Sequence, residues 1–220
     1  MSETVLRYPS AVLFDWDNTL VDSWGVIHEV LNHTLEAFGH APWTRDDIET
    51  RVRSSLRDSF PSLFGADWHK AEKLFYDYFG EIHLTHLQPL PGAENLLAAL
   101  ASTGTYLAVV SNKRGSYLRK EAAHLGWDRY FQALAGAGDA ARDKPAREHV
   151  DIALEGANIV PGPDVWFVGD TDIDLACASN AGCVPVLLRQ TPPEIGEFDA
   201  HPPALYLSGC PALTEYLTRL

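Results

Sequence analysis

Sulfur and positive charge are both scarce in this chain. Its 220 residues include 3 cysteines and 1 methionine, and 17 lysines and arginines stand against 30 aspartates and glutamates, a formal net charge of −13. Cys177, Cys183 and Cys210 are odd in number and lack metal-type CxxC spacing, so reduced, partly buried thiols are expected. The missing basic excess argues against nonspecific nucleic-acid binding, and no nucleic-acid partner is expected. The opening MSETVLRYPS has no apolar targeting core, and no later run approaches membrane-spanning length. A soluble cytoplasmic protein without membrane contact is the expectation. Low-complexity runs and internal repeats are lacking as well. What the chain does have is 46% hydrophobic residues, enough at this length to bury a substantial core in one large domain or two modest ones.

The chain is organised around residues 11–22, AVLFDWDNTLVD. Residues 11–14 form the short apolar run of a buried strand. The run ends in Asp15-Trp16-Asp17-Asn18-Thr19, with two carboxylates two residues apart. If the extended geometry persists there, Asp15 and Asp17 point the same way, because strand side chains alternate with period two. Like charges held that close need a compensating cation or a shared proton. A hard, oxygen-liganded divalent ion such as Mg²⁺ answers that need near neutral pH. An Asx-rich turn at the end of a strand accounts for the same residues without any ion.

From residue 22 to about 88 the pattern is helical throughout. Trp24, Ile27, Leu31, Leu35 and Phe38 recur at three and four, and Gly39 ends the run. Thr44 is placed to cap a second helix carrying Ile48, Val52 and Leu56. Pro61 and Gly65 are expected to break the chain before a third helix with Trp68, Ala71, Phe75, Tyr78 and Ile82 on one face. Beyond Pro89-Leu90-Pro91-Gly92 the pattern alternates as in parallel α/β proteins. Helices are expected over 93–102, 116–125, 146–155 and 175–181. Strands are expected over 106–110, 131–136, 165–168 and 184–188, with another near Leu205.

The Asp15, Asp17, Thr19 and Leu20 pattern resembles the first motif, DxDx[TV][LV], of the haloacid dehalogenase-like superfamily. Val109-Val110-Ser111-Asn112 resembles its second motif, Lys144-Pro145 its third, and Val168-Gly169-Asp170-Thr171-Asp172-Ile173-Asp174 its fourth, GDxxxD. Each is short, but they occur in order, three of them at the ends of apolar runs. The resemblance implies a Rossmann-like parallel sheet core, 1–21 and 89–220. A small all-helical cap domain, 22–88, would be inserted after the first strand. Ligands of such sheets gather at the carboxyl ends of strands.

The resemblance also implies roles. Asp15 would attack phosphorus to give an aspartyl-phosphate, and Asp17 would protonate the leaving alcohol and later activate water. Mg²⁺ would be held by Asp15, the backbone carbonyl of Asp17 and Asp170, with Asp174 indirectly or through water. Ser111, the Asn112 backbone N–H and Lys144 would bind the phosphoryl oxygens. Asp172 falls outside the pattern and is expected to cap a helix. The implied activity is that of a Mg²⁺-dependent phosphatase acting on a small phosphorylated metabolite, most similar to phosphoglycolate phosphatases, as a monomer or homodimer. A phosphomutase of the same superfamily and a non-catalytic ligand-binding member are the alternatives. An acid at Asp17 argues against a dehalogenase, since halide departure needs no proton.

One cap cation stands apart. On the second helix Asp47 can pair with Arg51 and Glu49 with Arg53, each at i to i+4. Arg57 has no such acid and falls near that helix's expected end. It is either a helix-end charge or the residue that binds a second anionic group, such as a carboxylate, on the substrate.

Overall fold

The structure is a computed structural model that describes residues 6–52 and 54–220. The first strand, β1 (Ala11–Phe14), is followed by a two-residue strand, β2 (Val21–Asp22). Helices α1 (Trp24–Ala37), α2 (Arg45–Arg51), α3 (Leu56–Phe64) and α4 (Trp68–His86) come next, and then β3 (Gln88–Pro89). The remainder alternates: α5 (Ala93–Ser102), β4 (Tyr106–Arg114), α6 (Gly115–His124), β5 (Ala133–Ala137), α7 (Glu148–Ala153), β6 (Val165–Gly169), α8 (Asp172–Ala181), β7 (Val184–Leu188), β8 (Leu205–Leu207) and α9 (Cys210–Leu217).

Among the described residues, six parallel strands form one sheet in the order β5-β4-β1-β6-β7-β8. The α/β class expected from the alternating pattern is the one observed. β1 lies inside the sheet with both faces covered, which is why its four residues read as an unbroken apolar run. Period-two alternation divides the core. Val12, Phe14, Leu107 and Val109 pack beneath α5, α6 and α9. Leu13, Ala108, Val110 and Phe167 pack on the opposite face with α7 and α8. From β1 the chain moves outward to β4 and β5, then returns to β6 on the other side of β1. That reversal opens a crevice at the carboxyl ends of β4, β1 and β6.

β2 and β3 pair antiparallel, Val21 with Pro89 and Asp22 with Gln88, where the chain leaves and rejoins the sheet layer. The helices between them close on apolar residues of their own, including Val30, Leu35, Ile48, Phe60 and Phe75. No described helix is long and apolar enough to cross a membrane. The three cysteines are free and buried.

Local departures from expectation have physical causes. Thr44 does cap α2: its Oγ1 accepts from Asp47 N at 3.1 Å, and Asp47 Oδ2 accepts from Thr44 N at 3.1 Å. That helix stops at Arg51, with Val52 extended, and never reaches Leu56. A new helix, α3, starts after Ser55 and carries Pro61 inside it, so Pro61 is not the break. Gly65, at φ 55°, is where that helix ends. The Asp47–Arg51 pair is present at 3.0 Å, whereas Glu49 pairs with Arg45 at 2.6 Å. Arg53, its expected partner, lies outside the described residues.

Candidate active site

The strand ends deliver the acids. Asp15 follows β1 directly, its N–H donating to Val168 O of β6 at 2.8 Å. The turn behind it is tight: Asn18 is left-handed at φ 62°, and its N–H donates to Val21 O at 2.6 Å. Asp15 and Asp17 both line one cavity, while Trp16 between them is buried in the core beside Trp127, ring centroids 5.9 Å apart. The alternation expected from strand geometry is thus seen in the side chains.

Lys144 organises the acidic cluster. Its Nζ lies 2.7 Å from Asp15 Oδ1 and 2.7 Å from Asp174 Oδ1, all three groups being buried. Carboxylate oxygens of Asp15, Asp170 and Asp174 lie within 4.8 Å of one another. Thr19 Oγ1 donates to Asp170 Oδ1 at 3.2 Å. Asp174 Oδ2 accepts from Thr171 N at 3.0 Å and Thr171 Oγ1 at 2.7 Å, which makes Thr171 and Asp174 the capping pair of α8. The capping expected of Asp172 therefore belongs to Thr171, and Asp172 is the first helical residue. Gly169 permits the arrangement, because a Cβ there would fall 2.3 Å from Asp174 Cγ.

Three buried carboxylates share one ammonium. Burial pushes the Asp15 carboxyl up to about 6; Lys144 opposes that rise, and Asp174 and Asp17 add to it. Burial likewise raises Asp170 well above the usual range, with Asp174 and Asp15 contributing. Burial disfavours the Lys144 ammonium, but the two aspartates outweigh it and hold Lys144 charged. An all-oxygen cluster with uncompensated negative charge fits a hard divalent cation such as Mg²⁺. The Asp17 carboxylate stands outside this cluster. Its Oδ1 lies 2.7 Å from Lys113 Nζ and accepts a hydrogen bond from Ser23 Oγ.

The other expected groups converge on the same cavity. Ser111 is buried on its wall. β4 runs on past Val110 to Arg114 with a register irregularity, which turns residues 111–113 into the crevice. The Asn112 side chain clamps the backbone of Lys144: Oδ1 accepts from Lys144 N at 2.9 Å, and Nδ2 donates to Lys144 O at 3.2 Å. One side chain thereby ties the second sequence motif to the third.

A buried ionic relay was not anticipated from sequence. Lys113 Nζ lies 2.7 Å from Glu121 Oε2 as well as from Asp17. Glu121 also accepts from Trp16 Nε1 at 2.7 Å and meets His83 Nδ1 at 2.8 Å. Burial pushes Glu121 up, but the Lys113 charge and the hydrogen bonds from His83, Lys113 and Trp16 hold it below the usual range. The available signal was an acid on an apolar helix face, flanked by Leu118, Ala122 and Leu125.

Arg57 is placed elsewhere. It sits in the first turn of α3, not at the end of α2, and its Nε lies 2.6 Å from Asp143 Oδ2. Its guanidinium also donates to Ala140 O at 3.4 Å and Ala141 O at 3.3 Å. It is not on the wall of the cavity over Asp15, which has a volume of about 160 Å³. Arg57 is thus not a helix-end charge, and it bridges the helical segment and the loop before Lys144.

A family model described as haloacid dehalogenase-like hydrolase matches residues 12–187. The phosphoglycolate phosphatase of Agrobacterium fabrum is 31% identical over 216 residues, covering 88% of this chain and 91% of its own. That of Rhodobacter capsulatus is 30% identical over 181 residues, with 78% and 80% covered. A Had-superfamily hydrolase of Ehrlichia chaffeensis, solved by crystallography, is 28% identical and superposes with a TM-score of 0.67 over 98% of each chain.

Proposed function

The chain belongs to the haloacid dehalogenase-like hydrolases and is a phosphatase of that family, and from that membership we propose a Mg²⁺-dependent reaction on a small, phosphoglycolate-like phosphomonoester in the cytoplasm, through an aspartyl-phosphate on Asp15. The observation that carries this reading is the buried cluster of Asp15, Asp170, Asp174 and Lys144, with Asp17 beside it. The helices of residues 22–88 act as a cap that shields the reacting groups from water.

Asp15 attacks phosphorus, a new P–O bond forms to its carboxylate, and the bond to the alcohol oxygen breaks. Asp17 gives that oxygen its proton, then takes one from the water that attacks the acyl-phosphate and releases inorganic phosphate. Lys113 and Ser23 both engage Asp17 Oδ1, which leaves Oδ2 to carry the proton. Lys144 holds Asp15 in place and offers positive charge to the phosphoryl oxygens, and Ser111 and the Asn112 N–H donate hydrogen bonds to them. Asp15, Asp170, Asp174 and the carbonyl of Asp17 would hold Mg²⁺, which supplies the charge neutralisation that lets an anionic phosphate approach buried carboxylates.

Hydrolysis of para-nitrophenyl phosphate by the purified chain, with and without Mg²⁺, tests the reading. Metal-dependent turnover that disappears in Asp15→Asn is expected. Equal turnover after EDTA has stripped the metal would remove the cation from the proposal.

A further inference from the structure

Above the carboxylates the cavity rises into the helical segment, where its wall mixes rings with charge. Trp24, Trp43, Phe79 and Tyr117 line it beside two arginines, Arg51 and Arg114. The two lysines of the wall are enclosed and doubly committed, Lys113 to Asp17 and Glu121, and Lys144 to Asp15 and Asp174. The arginines are not. Arg51 Nη2 lies 3.0 Å from Asp47 Oδ1 of its own helix, and Arg114 Nη2 donates to Glu72 Oε1 of α4 at 2.9 Å. A guanidinium carries five N–H donors. Among the described residues the bond to Glu72 is the one hydrogen bond of the Arg114 side chain, which leaves its Nε and Nη1 donors for an anion.

Of the two, Arg114 is held in place more firmly. It ends β4, the strand that also carries Ser111 and Asn112, so one stretch of backbone sets it relative to the groups assigned to the phosphoryl oxygens. Two glycines press that backbone against its neighbours. A Cβ on Gly136 would fall 2.5 Å from Gly115 Cα, and one on Gly115 would fall 2.4 Å from Asp139 Oδ2. The guanidinium itself lies over the Tyr76 ring, with Cζ 3.6 Å from the centroid, while Glu72 holds one end of it. A planar fork fixed by one face and one end is pre-organised to take a carboxylate on its free edge. Arg51 ends α2, its side chain is 55% exposed against 41% for Arg114, and its guanidinium lies 4.9 Å from the Trp43 centroid. Burying a carboxylate without a partner is costly, which confines a second substrate anion to a cation with donors to spare. The cavity's 160 Å³ keeps the spacer between the two anions short, since a cavity of about 150 Å³ takes up no more than benzene.

We propose that Arg114 binds a carboxylate on the alcohol half of the substrate and thereby makes the site selective for short carboxylated phosphomonoesters. The inference rests on the phosphatase reading above and names the residue and the chemical group through which that site chooses its substrate.

Phosphoglycolate and isobutyl phosphate make the comparison, because an isopropyl group replaces a carboxylate of nearly the same shape on the same CH₂–O–P. With the full chain and Mg²⁺, wild type is expected to favour phosphoglycolate in kcat/KM. Arg114→Gln should cut the phosphoglycolate-to-isobutyl ratio by about 10- to 100-fold, the scale of a lost hydrogen bond to a charged group, mostly through KM. Loss of the Arg114–Glu72 contact slows both esters alike and cancels in that ratio. Arg51→Gln should leave the ratio unchanged. Should Arg114→Gln fail to fold, Arg114→Lys must still lower the ratio, because it keeps a charge for Glu72 but lacks the fork. An unchanged ratio in the folded Arg114 variant, or an equal fall in Arg51→Gln, overturns the inference. So do equal wild-type values, a preference for isobutyl phosphate, and failure on both esters while para-nitrophenyl phosphate is hydrolysed. Failure on para-nitrophenyl phosphate as well removes the phosphatase reading itself, and the inference with it.

Discussion

Arg57 and Asp143 meet across the boundary between the helical segment and the sheet layer, with Nε 2.6 Å from Oδ2. The Asp143 side chain is fully buried, whereas that of Arg57 is 35% exposed. Asp143 also accepts from Gly138 N at 3.3 Å and directly precedes Lys144. The pair thus ties the helical segment to the loop that carries Lys144.

Arg57→Ala leaves a buried carboxylate without its cation. Discounted for the partly exposed arginine, the cost to stability is expected to be about 1–2 kcal/mol, below the range for fully buried pairs. Activity should fall by similar factors on para-nitrophenyl phosphate and on phosphoglycolate, because the defect lies in closure rather than recognition. Steady-state kinetics on both substrates checks this. A loss confined to the carboxylated ester would return Arg57 to the substrate.

Glu121→Gln tests the ionic relay. The folded state holds the Glu121 carboxyl below its ordinary value of 4.5, so its ionised form stabilises the fold. That contribution is complete above pH 4.5 and is lost as the pH falls through the lowered folded value. Chemical denaturation near pH 7 should show a loss of about 2–3 kcal/mol in the variant, which leaves Lys113 only Asp17 as an acid. The gap between wild type and variant should shrink on acidification below 4.5. A gap independent of pH would mean that the loss comes from packing and not from charge.

Asp15→Asn has the opposite sign. Burial raises the Asp15 carboxyl from 3.8 to about 6, so its ionised form opposes folding when no metal is bound. In EDTA the variant should match or exceed wild type in stability at pH 7, by at most about 3 kcal/mol. The advantage should grow as the pH rises from 3.8 towards 6 and level off above that. Mg²⁺ should then stabilise wild type more than the variant, which has one carboxylate fewer in the acidic cluster. Greater stability of wild type in EDTA at pH 7 would contradict the electrostatic account.

These residues differ in how plainly the chain announces them. Asp15, Ser111 and Asp170 are legible because each follows an apolar run, and a parallel sheet brings strand ends together whatever the details. Lys144 is legible only through its motif, since its loop carries no periodic signal. Helix and strand positions beyond Pro89 follow the apolar pattern closely, although β4 extends to Arg114, α9 is not anticipated, and the β2–β3 ribbon is too short to show a period. The fate of Arg57 turns on α2 ending at Arg51, with α3 starting anew at Leu56, and on an acid supplied from a distant loop. The Glu121 relay joins β4, α6 and α4, and pairing across such distances leaves no local trace beyond an acid on an apolar face.

Asp17→Asn separates proton donation from attack. The amide keeps the side chain's shape and can still meet Ser23, but it removes the group assigned to protonate the leaving oxygen. An alkyl phosphate leaves as a strongly basic alkoxide unless it receives a proton, whereas para-nitrophenolate leaves with little help. The variant should therefore lose far more rate on isobutyl phosphate than on para-nitrophenyl phosphate. A hundredfold difference between the two losses corresponds to about 2.7 kcal/mol of barrier. Lys113 sets a second condition, because its ammonium lies 2.7 Å from Asp17 Oδ1, the oxygen opposite the one proposed to carry the proton. Lys113→Met should slow both substrates, with the larger loss again on the alkyl ester but a smaller contrast than in Asp17→Asn. A plot of log kcat/KM against leaving-group pKa measures each contrast as a slope, steepest for Asp17→Asn, intermediate for Lys113→Met and shallow for wild type. Parallel slopes for all three would mean that Asp17 is not the proton donor.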